Sequence, residues 1–241
     1  MQKVIEPVIA SLGLIALIIL YIAAVSYQNG SPLGEAFGLL RWGAYVGIAS
    51  MVLVLAWCIW KRPKGLRLSV LIISAILGFA AFFMPYRYSQ IGASVPAIHD
   101  ITTDTIDPPA FVAIAPLRAD APNPAAYDGP ETAQQQLVSY PDIETLTYNQ
   151  TPDTVFAAAR AVVEAMGWEL VAANQALGRI EATDTTRWFK FKDDVVIRIS
   201  ASGDSTEVDV RSKSRVGRND FGVNAGRVRD FSAALNAELG M

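Results

Sequence analysis

One cysteine and one histidine occur in 241 residues. A lone thiol cannot close an intrachain disulfide, and so few Cys and His side chains exclude a zinc site built from several of them. The cysteine, Cys58, lies inside an apolar run, where it reads as a small packing residue. The part of the chain after Met84 has no cysteine and must be held by its core rather than by cross-links. The sequence also lacks the GxxxxGK[ST] spacing of a phosphate-binding loop, any internal repeat, and the strand–helix alternation of a doubly wound nucleotide fold.

Charge is missing from three places. Apolar segments at about 8–27, 41–60 and 68–84 have uncharged interiors and raise the mean hydropathy to +0.30. Each is close to the ~20 residues that cross ~30 Å of hydrocarbon. A backbone in lipid must satisfy its own hydrogen bonds, so three transmembrane helices are expected over residues 1–84. Lys61, Arg62, Lys64 and Arg67 crowd the second connection and Lys3 precedes the first segment, whereas Arg41 in the first connection is offset by Glu35. Loops rich in Lys and Arg stay cytoplasmic, which puts the N-terminus inside and the chain beyond Met84 outside, in the periplasm of a bacterial inner membrane. Trp42, Trp57 and Trp60 fall near segment ends, where indoles favour the interface. A rival reading makes the first segment a signal peptide cleaved near Ala24-Val25-Ser26; its apolar core is long for that role and its positive region is a single Lys3.

From Pro85 onward there are 14 Lys and Arg against 21 Asp and Glu, a net charge of −7. An acidic exported domain is a poor nucleic-acid binder. Residues 85–150 form an extended Pro/Ala-rich segment with six prolines between Pro108 and Pro130, expected to be mostly irregular. Residues 151–241 form an α+β core. Thr151-Pro152-Asp153 starts a helix that Gly167 ends. Strands are expected at Trp168–Ala173, Arg179–Thr185, Asp194–Ser200 and Thr206–Ser212, with another over Thr186–Lys192. On Thr206–Ser212, Val208 and Val210 point inward, and Glu207, Asp209 and Arg211 point outward. A final helix over Val223–Leu239 carries Val228, Phe231, Leu235 and Leu239 as its apolar stripe. The order predicts an antiparallel meander sheet with two helices packed on one face.

The densest polar stretch is Arg211–Arg229, with six cations, three glycines and the single acid Asp220. Its binding candidates are Arg211, Ser212, Ser214, Arg215, Arg218, Asp220, Asn224 and Arg227, arranged to grip an anion such as a lipid headgroup or a partner's acidic patch. The competing reading pairs these arginines internally with Asp100, Asp104, Asp184, Asp209 or Asp220. His99, Asp100 and Asp104 are the acid–base candidates, with Ser212 or Ser214 as the nucleophile they would serve. The plainer reading makes Asp100 and the neighbouring threonines turn caps. Arg187, Trp188, Phe189 and Phe191 form either an exposed aromatic tip or ordinary strand residues with one buried face. No catalytic residue is assigned, and neither metal nor cofactor is expected.

The strings IHDITTD (Ile98–Asp104), MGWELV (Met166–Val171), RIEATDTT (Arg179–Thr186), DVVIRI (Asp194–Ile199) and RSKSRVGRNDFGVNAGRVRDF (Arg211–Phe231) resemble the bacterial and plastid family catalogued as domain of unknown function 1499. The resemblance implies an N-terminal membrane region before the domain, and no particular reaction, cofactor or substrate. The functional expectation is a non-catalytic binding or assembly module of the cell envelope, or an accessory subunit of a membrane complex. Its partners would be membrane lipids and other envelope proteins. The alternatives are a lipid- or anion-binding domain, and a hydrolase using His99 with Asp100 or Asp104.

Overall fold

The computed structural model describes residues 2–241; Met1 and the side chain of Lys3, one of the cations used above for orientation, lie outside the described residues. The chain divides into two compact units, Met1–Ile91 and Gly92–Met241.

The first unit holds helices α1 (Gln2–Gln28) and α2 (Leu33–Lys61) and all but the last three residues of α3 (Leu66–Ser94). All three are long and apolar enough to cross a membrane. The helices outrun the uncharged segments, because helix hydrogen bonding continues through polar residues such as Glu35 and Arg41 that a lipid-crossing stretch excludes. Small residues hold them together. Gly47 and Gly78 face each other so closely that a Cβ on Gly78 would lie 2.7 Å from the Gly47 carbonyl oxygen. Ser74 Oγ donates to the Ile9 carbonyl at 3.1 Å, and Ser50 Oγ donates to the Ser74 carbonyl at 3.2 Å. Buried hydroxyls and close backbone approach are what bind helices together where lipid removes the hydrophobic drive. Trp42 and Trp60 are exposed on the helix surface, but Trp57 is buried with Ile9, Val54 and Leu71 and donates its indole N–H to Glu6. It packs rather than anchors, because its face of α2 meets the other helices.

The second unit is built on six antiparallel strands: β1 (Asp100–Thr102), β2 (Leu146–Tyr148), β3 (Glu169–Asn174), β4 (Arg179–Thr185), β5 (Lys192–Ser202) and β6 (Ser205–Ser214). Strands β3 to β6 form the meander. β1 and β2 both pair with the far edge of β6, one opposite Arg211–Lys213 and the other opposite Thr206–Val208. Helices α5 (Pro152–Ala165) and α6 (Val223–Glu238) pack on one face. Thr151 caps α5 through its hydroxyl. The shared core holds Val155, Phe156, Val162 and Val163 of α5, Val228, Phe231 and Leu235 of α6, and Ile180, Val195, Ile197, Val208 and Val210 of the sheet.

The expected strand over Thr186–Lys192 is instead the loop of the β4–β5 hairpin. The ladder closes at Thr185 opposite Lys192. Thr186 N–H donates to the Phe191 carbonyl, Phe191 N–H donates to Thr186 Oγ1, and Lys190 takes a left-handed φ of 58°. Trp188, Phe189 and Phe191 pack on one another inside this loop, with Phe189 and Phe191 stacked at 5.0 Å.

The opposite face of the sheet is also covered. The segment from Thr103 to Gly129 has no regular structure beyond one short 3-10 turn, Ala115–Arg118, and it lies across β4, β5 and β6. Phe111 and Ile114 pack against Val196 there. Helix α4 (Pro130–Ser139) follows, and its buried Gln136 bonds the backbone of Thr102 on both sides. Asp209 and Arg211 do point away from the helices, but the wrapped segment buries them to 3% and 2% exposure.

Candidate functional site

The pleat of β6 sends alternate side chains to opposite faces. Arg211 and Lys213 enter the side under the wrapped segment, while Ser212 and Ser214 enter the side of α6.

Under the wrap, Arg211 forms a two-pronged pair with Asp100, Nε to Oδ1 and Nη2 to Oδ2, both at 2.8 Å. Its remaining N–H groups reach the Pro109 and Ala125 carbonyls, and its plane lies 4.9 Å from the Phe111 ring centre and 5.3 Å from that of Tyr127. Lys213 Nζ is shared by Asp100 (3.2 Å), Asp128 (2.6 Å) and the Ala126 carbonyl. Burial, then the nearby Asp100 charge, pushes the Tyr127 phenol up to about 12. A second cluster centres on Asp194, fully buried. It takes Arg118 at 2.8 Å, both prongs of Arg215 at 2.8 Å, and the Thr183 hydroxyl at 2.7 Å. A third joins Arg198 to Asp104, Asp107 and Asp209. Partial burial pushes the Asp104 carboxyl up, but N–H bonds from Asp107 and Ile106 and the Arg198 guanidinium outweigh it and hold the group below its usual range.

On the α6 side, Arg227 reaches Asp184 at 2.7 Å, Asp193 at 2.8 Å, Ser212 Oγ at 3.0 Å and Asn224 Oδ1 at 2.6 Å. Asn224 Nδ2 donates to Ser214 Oγ and to the His99 carbonyl. Asp220 caps α6 by accepting the N–H groups of Gly222 and Asn224. Burial raises its pKa, with Asp193 adding to the effect and the Asn224 and Gly222 donors opposing it.

The binding candidates therefore divide. Arg211, Ser212, Ser214, Arg215, Asp220, Asn224 and Arg227 are all engaged inside the unit. Arg218 is exposed, and among the described residues it makes no hydrogen bond or ion pair. The acid–base candidates are dispersed. Asp100 is bound to Arg211 and Lys213, and Asp104 to Arg198. His99 Nε2 lies 3.3 Å from Asp128 Oδ2 without the alignment of a hydrogen bond. Both serine hydroxyls are held by Asn224 or Arg227, and neither bonds His99. Among the described residues no cluster of His, Cys, Asp and Glu could hold a metal ion.

Beside His99 opens a groove of about 180 Å³, whose walls include Asp128, Glu131, Thr132, Gln135 and Arg218. Arg118, Glu181, Asp194 and Arg198 escaped the sequence reading as site residues. Glu181 is 1% exposed and accepts the N–H groups of Val112, Ala113 and Ile114, thereby fastening the wrap to β4. The one available signal was an acid or an arginine at strand positions whose neighbours are apolar, as in Asp194-Val195-Val196-Ile197-Arg198.

No curated protein matches the chain. One family model does, over residues 100–235, more than half of the sequence, beginning at Asp100 and running through the β6–α6 region. The chain thus belongs to the family described as Protein of unknown function (DUF1499).

Proposed function

We propose that this membrane protein is a non-catalytic assembly or binding module of the cell envelope, an accessory subunit of a larger membrane complex. In this reading the N-terminus is cytoplasmic and the unit from Gly92 is periplasmic, as the Lys and Arg between α2 and α3 favour. The observation that carries the reading is the internal engagement of the basic run. Five of its six cations are tied to carboxylates of the same unit; Arg211, Lys213 and Arg227 are themselves buried, and Arg215 meets the fully buried Asp194. A cation so committed cannot also take up an exchangeable anion without leaving a buried carboxylate uncompensated. The run serves instead as a frame that fixes β1, the wrap and α6 in one arrangement, which suits a rigid docking body. The hydrolase alternative has less support, because Asp100, Asp104, Ser212 and Ser214 each have other partners.

Purification of the tagged full chain in two mild detergents, followed by mass spectrometry of proteins and lipids, tests this. The expected result is one or more membrane proteins retained at fixed stoichiometry in both detergents. Recovery of the chain alone, at the size of a detergent-bound monomer in both, would contradict it.

A further inference from the structure

The groove beside His99 differs from the rest of the Gly92–Met241 unit. Elsewhere the arginines of the basic run and the acids around them are saturated. Here Glu131, Thr132, Gln135 and Arg218 line one opening of about 180 Å³, and among the described residues none of these side chains makes a hydrogen bond or ion pair. Arg218 and Glu131 carry opposite charges on the same groove, yet do not pair with each other. Its floor is fixed. Asp128 is held by Lys213 at 2.6 Å, and His99 is anchored through its backbone carbonyl, which accepts Ser214 N–H and the Asn224 amide. His99 Nε2 is buried there, 3.3 Å from Asp128 Oδ2 but not aligned with it for a hydrogen bond. A rigid polar floor beneath unengaged side chains of both signs is the arrangement of a recognition site.

We infer that this groove binds a small zwitterionic group, with Arg218 taking its carboxylate or phosphate, Glu131 its ammonium, and Gln135 and Thr132 adding hydrogen bonds. Guanidinium presents a planar fork to either anion, and a carboxylate accepts from an ammonium. The volume suits one amino acid or one aminoethyl phosphate, two sources of the same chemistry. The inference goes beyond the assembly role and does not depend on it, since a ligand site of this kind is compatible with either outcome of the co-purification.

The single histidine makes the test direct, because the imidazole Cε1–H resonance of the isotopically labelled full chain in detergent micelles belongs to His99 alone. Glycine, O-phosphoethanolamine, inorganic phosphate and ethylammonium are titrated in turn. Expected are a saturable shift with glycine or O-phosphoethanolamine, whichever source applies, and a weaker one with phosphate. Arg218→Ala should reduce the affinity for the zwitterion by about tenfold or more, the loss of a charge-assisted bond. Glu131→Gln should weaken the zwitterion and leave phosphate unchanged. Both side chains are exposed and unbonded, so both variants should melt with the wild type, which a thermal scan confirms before titration. Absence of a saturable shift with both zwitterions, an undiminished shift in Arg218→Ala, or phosphate binding as tightly as the zwitterions would each overturn the assignment.

Discussion

Asp100 and Arg211 meet in a two-pronged ion pair with both contacts at 2.8 Å, the carboxylate fully buried and the guanidinium 2% exposed. They are far apart in sequence and adjacent across the β1–β6 ladder, where Asp100 lies opposite Lys213 and Thr102 opposite Arg211. The pair therefore fastens the first strand of the unit to the last. A desolvated ion pair stabilises only when its geometry is good and the remaining donors are satisfied. Here the Pro109 and Ala125 carbonyls and the faces of Phe111 and Tyr127 meet that condition.

Two arginines of the unit should behave in opposite ways. Arg118→Ala strips a buried partner from Asp194 and removes bonds to three carbonyls. It should cost about 3–5 kcal/mol. Arg218→Ala touches no bond and should stay within about 0.5 kcal/mol. Urea unfolding of the full chain in detergent measures both.

Glu181 should control the wrap. Glu181→Ala leaves three backbone N–H groups near Ile114 without acceptors, a loss of about 1–3 kcal/mol for the first such group alone. Amide exchange at Val112, Ala113 and Ile114 should accelerate strongly while that of Ile197 and Val210 changes little. Uniform acceleration across the unit would mean that the wrap is not a separate layer.

The depressed pKa of Asp104 has a definite sign. Its folded value lies below its unfolded value, so the stabilisation is present above the unfolded pKa near 3.8 and is lost as pH falls through the folded one. Asp104→Asn should therefore reduce stability at pH 6, and the gap from wild type should narrow below pH 4. Asp220 has the opposite sign: its raised pKa favours the folded state at low pH, and that contribution fades as pH rises. A stability difference between wild type and Asp104→Asn that widens on acidification would contradict the assignment.

Orientation is open to reporter fusions. Alkaline phosphatase joined after Met241 should be active and joined after Arg62 inactive, as the cationic connection between α2 and α3 requires. The reverse pattern would place the Gly92–Met241 unit in the cytoplasm.

Features with a local cause were legible in the sequence. The cap at Thr151, the apolar stripe of α6 and the alternation of β5 and β6 each follow from a repeat or a turn residue nearby. Features made by distant parts of the chain were not. β1 and β2 are three residues each, too short for any periodicity, and exist because β6 offers them an edge. The aromatic residues of the β4–β5 loop read as a strand because bulky rings favour pleated surfaces, but the ladder register at Thr185 and Lys192 leaves them in the turn. The outward assignment of Asp209 and Arg211 gave their direction correctly and their exposure wrongly. An irregular segment with five prolines carries no pattern that says what it covers.

The central claim, that the basic run is an internal frame, is tested most directly by a double-mutant cycle on Asp100→Asn and Arg211→Met. Stability is read from urea unfolding and from exchange of the β6 amides. The frame predicts that each single change costs about 3 kcal/mol or more, and that the double variant costs well under the sum, because neither leaves the other's charge buried alone. Single changes below about 1 kcal/mol that simply add would show a pair without structural weight and contradict the account.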